Sequence, residues 1–131
     1  MAGKPARMHY RSIPSVVYTW PEVASVGLTE AQAKEQGHEV VVNKFPFNAT
    51  AKGLIHGQGG MVKVVAAKDG PVLGIHLVGA RVTDLVAEAM LIYNWEALPI
   101  DVAQYIHPHP TLAEAVGEAH LTLAGRRFHQ I

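Results

Sequence analysis

Apolar positions alternate with polar ones along some stretches of this chain and recur every three or four residues along others, and the switches between these periods mark its elements. The first apolar stretch, IPSVVYTW at 13–20, is cut by Pro21, and EVASVG at 22–27 alternates up to Gly27, so two strand segments open the chain. LTEAQAKEQG at 28–37 predicts a helix of about two turns: Thr29 and Gln32 have capping-box spacing, helix formers fill the middle and Gly37 stops it. HEVVVNKFPF at 38–47 is β-branched until Pro46 interrupts it, which predicts a strand with an irregular exit. The turn-rich NATAKGLIHGQGG that follows reads as a flexible connection.

MVKVVA at 61–66 and VLGIHLV at 72–78 flank AKDGP, whose Asp69-Gly70 pair signals an antiparallel hairpin. From Val82 to Tyr93 the period lengthens: Val82, Leu85, Val86, Ala89, Met90 and Tyr93 share one stripe, while Arg81, Asp84 and Glu88 fall on other faces. A short helix at LPIDVAQYI and a last one from Thr111 to about Gly125, with the stripe Leu112, Ala115, Val116, Ala119 and Leu123, complete the order β, β, α, β, β, β, α, α, α. Consecutive strands with helices gathered late predict an α+β fold, an antiparallel β-sheet with helices packed mainly on one side.

Composition narrows the function classes. A hydrophobic share of 49% against 17% charged residues in 131 positions predicts one packed core with no disorder outside the ends. Eleven basic residues balance eleven acidic ones, so nothing recommends nucleic acid or an anionic membrane as partner, although KPARMHYR near the start is mildly basic. No apolar run reaches the roughly 20 residues of a membrane span and none follows the N-terminus as in a signal peptide, so a soluble, intracellular protein is expected. With no cysteine, the chain has neither disulfides nor thiol chemistry of its own.

Three motifs invite chemistry. GLIHGQGG at 53–60 suggests a phosphate loop, but it has neither GxGxxG nor GK[ST] and leads into a strand, so no nucleotide is assigned to it. His107 and His109, two apart, would share one side of an extended segment as zinc ligands do, yet two ligands are too few and no metal is expected. His9, His38, His56, His76, His120 and His129 are scattered singly and read as surface or satisfied core histidines.

The third is YIHPHPTLAE, residues 105–114. Thr111 and Glu114 form a second T-x-x-E capping box behind Pro110, a complete structural account of the glutamate. The alternative is that Glu114 reaches back to the imidazole of His109 and fixes its tautomer, leaving the other ring nitrogen free to take and release a proton near neutral pH. Spacing alone does not separate cap from acid–base partner.

IPSVVYTWPEVASVGLTEAQA at 13–33, KFPFNATAKG at 44–53, VLGIHLVGARVTDLV at 72–86 and HPHPTLAEA at 107–115, in this order, resemble the C-terminal dimerisation domain of the flavin-dependent pyridine nucleotide-disulfide oxidoreductases. Within them the chain is most similar to the dihydrolipoyl dehydrogenase branch. The resemblance runs from about Ile13 to Gly125 and implies that residues 13–131 are the dimerisation (interface) domain, with 1–12 an N-terminal extension or interdomain remnant. It implies that His109 is the acid–base residue for oxidation of dihydrolipoamide to lipoamide and that Glu114 pairs with it, with His107 in support. It also implies a cis His109-Pro110 bond, the only kind of peptide bond that is cheaply cis, and a His109-Pro110 backbone lying beside the flavin of the opposite subunit of a homodimer.

What the chain lacks is equally informative. It has no CxxxxC redox pair, no GxGxxG and no second nucleotide-binding half, so FAD and NAD belong to the full-length enzyme and none is expected on the isolated chain, which should be inactive alone. The implied partners are the missing FAD- and NAD-binding domains, dihydrolipoamide on a lipoyl domain and the acyltransferase of a 2-oxoacid dehydrogenase complex, in the cytoplasm or, in a eukaryote, the mitochondrial matrix. The competing readings are the same domain of glutathione reductase or another disulfide reductase, and a non-catalytic dimerisation or docking module.

Overall fold

A computed structural model of the chain describes residue 3 and residues 5–126; His129, read above as an isolated histidine, lies outside the described residues. Five strands form one antiparallel sheet: β1 (Ser15–Val17), β2 (Glu22–Gly27), β3 (Val40–Pro46), β4 (Met61–Ala67) and β5 (Val72–Gly79), in the spatial order β1-β2-β5-β4-β3. The helices are α1 (Glu30–Glu35), α2 (Ala51–His56), α3 (Val82–Asn94), α4 (Pro99–Ala103) and α5 (Glu114–Leu123). The α+β architecture expected from the sequence is the one found.

The register explains why the helices lie where they do. Val16, Ala24, Leu77, Val62 and Phe45 line up across all five strands, and Val26, Ile75, Val64 and Asn43 form the next row on that face. Side chains alternate between faces along a strand, so this face is the core. Against it pack Val82, Val86, Ala89 and Ile92 of α3 and Ala115, Val116 and Ala119 of α5, all buried. On the opposite face the rows differ in kind. Val17, Val23, Val78, Met61 and Pro46 make an apolar row, and Ser15, Ser25, His76, Lys63 and Lys44 a polar one beside it. There α1 takes a small part of the sheet: Lys63 reaches Glu30 at 2.9 Å, and Ala33 and Val65 are fully buried outside the main core.

Two polar contacts from strands set the long helices. Glu22 of β2 accepts from the backbone N–H and hydroxyl of Thr83 at 3.0 and 2.7 Å, capping α3 from another element. Asn43 of β3 donates to the Ala119 carbonyl of α5 at 3.0 Å. Both helices are thereby fixed on the sheet in translation as well as in packing.

Several local expectations need correction. The stretch 51–56 is a helix, not a flexible connection: Thr50 accepts from the Gly53 N–H at 3.0 Å as its N-cap, and Gly57 ends it in the left-handed conformation at φ 64°. The opening strand is shorter than IPSVVYTW. In α3 the sequence stripe omits Ile92, which is buried, while Met90 is only half-buried. Helix α5 starts at Glu114, not at Thr111, because Ala115 and Val116 bond three residues back to Leu112 and Ala113, a tighter entry turn than an α-helix makes.

Candidate active site

The segment between α4 and α5 holds two histidine–carboxylate pairs. His109 donates from Nδ1 to Glu114 Oε1 at 2.8 Å, and Glu114 Oε2 accepts from the Thr111 backbone N–H at 2.9 Å. The glutamate is therefore both things its spacing allowed, with one oxygen for each role. The box is half of what was expected, since the Thr111 hydroxyl donates to the Pro108 carbonyl at 2.6 Å instead of capping α5. The His109-Pro110 bond is cis, as the resemblance implied.

Exposure separates the two members of this pair. The His109 side chain is 70% exposed and that of Glu114 22%. Burial pushes the Glu114 carboxyl up, but the Thr111 N–H and the neighbouring His109 outweigh it and hold the group below the usual carboxylate range. A carboxylate that stays ionised and accepts from Nδ1–H fixes the tautomer, so the lone pair lies on Nε2, which has no partner among the described residues. A ring held in this way can take a proton from a group presented at the surface, with the carboxylate placed to stabilise the imidazolium that would form.

His107 is placed quite differently. Its ring is 13% exposed and Nε2 donates to Glu88 Oε1 of α3 at 2.6 Å. The hydrogen bond to Glu88 raises the imidazole above its ordinary value against the opposing effect of burial, and the charges of Glu88 and Glu114 and the Tyr105 carbonyl add to it. His107 and His109 bond different carboxylates, Glu88 and Glu114, and the described residues contain no cluster of three metal-binding side chains. Glu88 falls off the apolar stripe of α3, on another face, yet it is half-buried and bonded to His107.

Of the scattered histidines, His120 of α5 is fully buried, its Nδ1 donating to the Val116 carbonyl at 2.7 Å while Nε2 finds no partner. It is a core histidine, but only half satisfied, and burial pushes it down to about 4. Two cavities flank the loop. One of about 150 Å³ is walled by Tyr105, His107, Glu114, Gly117 and Glu118 among others. Another of about 390 Å³ lies against Glu88, Leu91, Trp95, Tyr105 and His107. His109 walls neither, so its free nitrogen faces a surface that this chain leaves open.

Among the described residues no helix is long and apolar enough to cross a membrane. The family model of the pyridine nucleotide-disulphide oxidoreductase dimerisation domain matches residues 13–120. A dihydrolipoyl dehydrogenase of Bacillus subtilis is 50% identical over 119 residues, which cover 89% of this chain and 25% of that protein. The mitochondrial dihydrolipoyl dehydrogenase 2 of Arabidopsis thaliana is 42% identical over 132 residues, 98% of this chain and 26% of its own. The chain thus spans about a quarter of the length of the curated relatives it matches. In fold it is similar to LpdA of Mycobacterium tuberculosis, with a TM-score of 0.84 at 21% identity over 90% of this chain and 26% of that one. The HOCl-induced flavoprotein disulfide reductase RclA of Escherichia coli gives 0.82 at 20% identity, over 92% of this chain and 28% of its own. The chain belongs to the pyridine nucleotide-disulphide oxidoreductase dimerisation-domain family.

Proposed function

We propose that residues 13–131 are the interface domain of a dihydrolipoyl dehydrogenase, with 1–12 an N-terminal extension or interdomain remnant, and that the domain supplies His109 and Glu114 as the acid–base pair for oxidation of dihydrolipoamide to lipoamide. The observation that supports this reading is the 2.8 Å bond from His109 Nδ1 to Glu114, which leaves Nε2 free on an exposed ring. In this role Nε2 takes the proton of a substrate thiol, leaving a thiolate, while Glu114 stabilises the imidazolium; the proton is released when the ring returns to its neutral form. FAD and NAD supply the two-electron chemistry when bound, but these residues do not fit them. The glycine-rich stretch at 53–60 spends its N-terminal half on α2, runs on into β4 and leaves no dinucleotide-binding turn.

Because the free nitrogen of His109 faces outward and the chain has no thiol, the reacting groups come from elsewhere. In this reading the molecule is a homodimer in which His109 and the adjoining Pro110 meet the flavin and the redox thiols of the opposite subunit. Dihydrolipoamide arrives on a lipoyl domain of a 2-oxoacid dehydrogenase complex, whose acyltransferase binds the dimer, in the cytoplasm or the mitochondrial matrix. The test is His109→Gln in the complete flavoenzyme, assayed by NAD reduction with dihydrolipoamide. Turnover should fall by roughly 10²- to 10⁴-fold, the range of acid–base catalysis, with fold and flavin content retained. Full activity, or a preference for glutathione disulfide as substrate, overturns the proposal.

A further inference from the structure

The loop that presents His109 has almost no backbone support. Residues 106–110 neither give nor receive a backbone–backbone hydrogen bond among the described residues. Pro108 and Pro110 have no N–H to give, and Ile106 is 98% exposed. Such a segment ought to be mobile, and a mobile acid–base group loses most of the advantage of being placed.

One side chain contradicts that expectation. His107 turns inward and ends on Glu88 in the middle of α3, and its ring lies so close to α5 that a Cβ on Gly117 would stand 2.5 Å from Nδ1. Glycine is required there by the approach of the ring, not by backbone conformation, since Gly117 lies within α5. The two walls are themselves fixed to the sheet, α3 through Glu22 and α5 through Asn43. The contacts of Glu114 are local, to His109 and Thr111. They orient the ring within the loop but do not say where the loop stands on the fold.

We infer that Glu88 and His107 are positioning residues for the acid–base pair: the hydrogen-bonded His107 ring, held between Glu88 of α3 and Gly117 of α5, is the anchor that sets where His109 and Glu114 stand relative to the sheet. The inference rests on the reading of His109 given above, and neither anchor residue touches substrate. The physical reason for choosing histidine is that a protonated ring can donate from both nitrogens while keeping a flat surface against the helix. Electrostatics supports this, because the hydrogen bond to Glu88 raises the imidazole above its ordinary value against the opposing effect of burial.

The experiment uses the chain labelled with ¹⁵N, read by backbone relaxation and by the ring nitrogens of its histidines. In the unsubstituted chain the amides of His107 and His109 should have order parameters near those of rigid backbone, about 0.85, despite their lack of backbone hydrogen bonds. Values below about 0.6 overturn the inference without any variant, and so without any question of folding. Glu88→Ala should then split or broaden the His109 ring signals and lower its order parameter. Glu88→Gln, whose amide oxygen still accepts from Nε2–H, should restore the single set. If Glu88→Ala leaves the His109 signals unchanged, the anchor is not Glu88 and the inference fails. None of these readouts depends on catalysis, so an inactive or a fully active His109→Gln enzyme leaves them where they are.

Discussion

The two histidine–carboxylate pairs, two residues apart in sequence, show how the same chemical pair serves opposite ends. His109 and Glu114 are five positions apart, joining a surface loop to the first residue of α5, with the ring open to solvent. His107 and Glu88 are separated by nineteen and join the loop to a helix across the floor of the fold. An exposed ring with one nitrogen free can exchange a proton; a covered ring with Nε2 on a carboxylate can hardly do so, and instead fixes geometry. What distinguishes them is the number of open nitrogens and not the residue types.

The largest effect expected is from Gly117→Ala, which pushes a methyl into the His107 ring. Overpacking of this kind, added to the displaced bond to Glu88, should cost about 3 kcal/mol of unfolding free energy in urea denaturation. A loss well under 1 kcal/mol would mean that the ring moves freely, and the contrast between the pairs would collapse.

Next comes Glu88→Ala. Removing the acceptor of the mostly covered His107 ring should cost about 2 kcal/mol near pH 6, a value reduced because Glu88 itself is one-third exposed. The pH dependence has a definite sign. The folded state raises His107 above its ordinary value of 6.5, so it binds the proton more tightly than the unfolded chain does. The contribution is complete below pH 6.5 and is lost as pH rises through the folded value. The difference between wild type and Glu88→Ala should shrink from pH 6 to pH 9; a difference that grows would reverse the assignment.

Glu114→Gln should have the smallest effect on stability, under about 1 kcal/mol, because its partner ring is largely exposed. Its pH dependence runs the other way. Glu114 is held below the ordinary 4.5, so its contribution is present above that value and lost as pH falls through the folded one. Denaturation at pH 7 and pH 3 separates the cases. A larger loss for Glu114→Gln than for Glu88→Ala at pH 7 would exchange the roles of anchor and acid–base partner.

What the sequence made legible was local. The Thr29–Gln32 box, the Asp69-Gly70 hairpin and the possibility of a His109–Glu114 contact all rest on partners within five positions, and each appears as read or in part. The α2 helix was hidden because its glycine looked like a breaker. Gly53 is there for packing, since a Cβ would fall 1.8 Å from the Phe47 carbonyl oxygen. The Glu88–His107 pair was hidden for a different reason: its partners meet only after α3 and α5 have settled on the same face of the sheet. Likewise, no spacing rule distinguishes a buried His120 from a surface one. The burial class of a single histidine is a property of the packed helix.

The strand order carries a consequence for how the molecule is made. The hairpin β4–β5 closes through the short turn at 68–71 and occupies sheet positions beside β3 and β2, both of which precede it in the chain. Among the described residues every strand therefore lies before Val82, and the helices that cover the core face, α3 and α5, come after the last strand. The loop at 104–113 follows all of them and pairs with no strand, although its Leu112 is buried in the core. Substitutions along it can alter the chemistry offered at the surface without touching the strand pairing, provided that the chain keeps Leu112 in the core and the one ring that drops between the two helices.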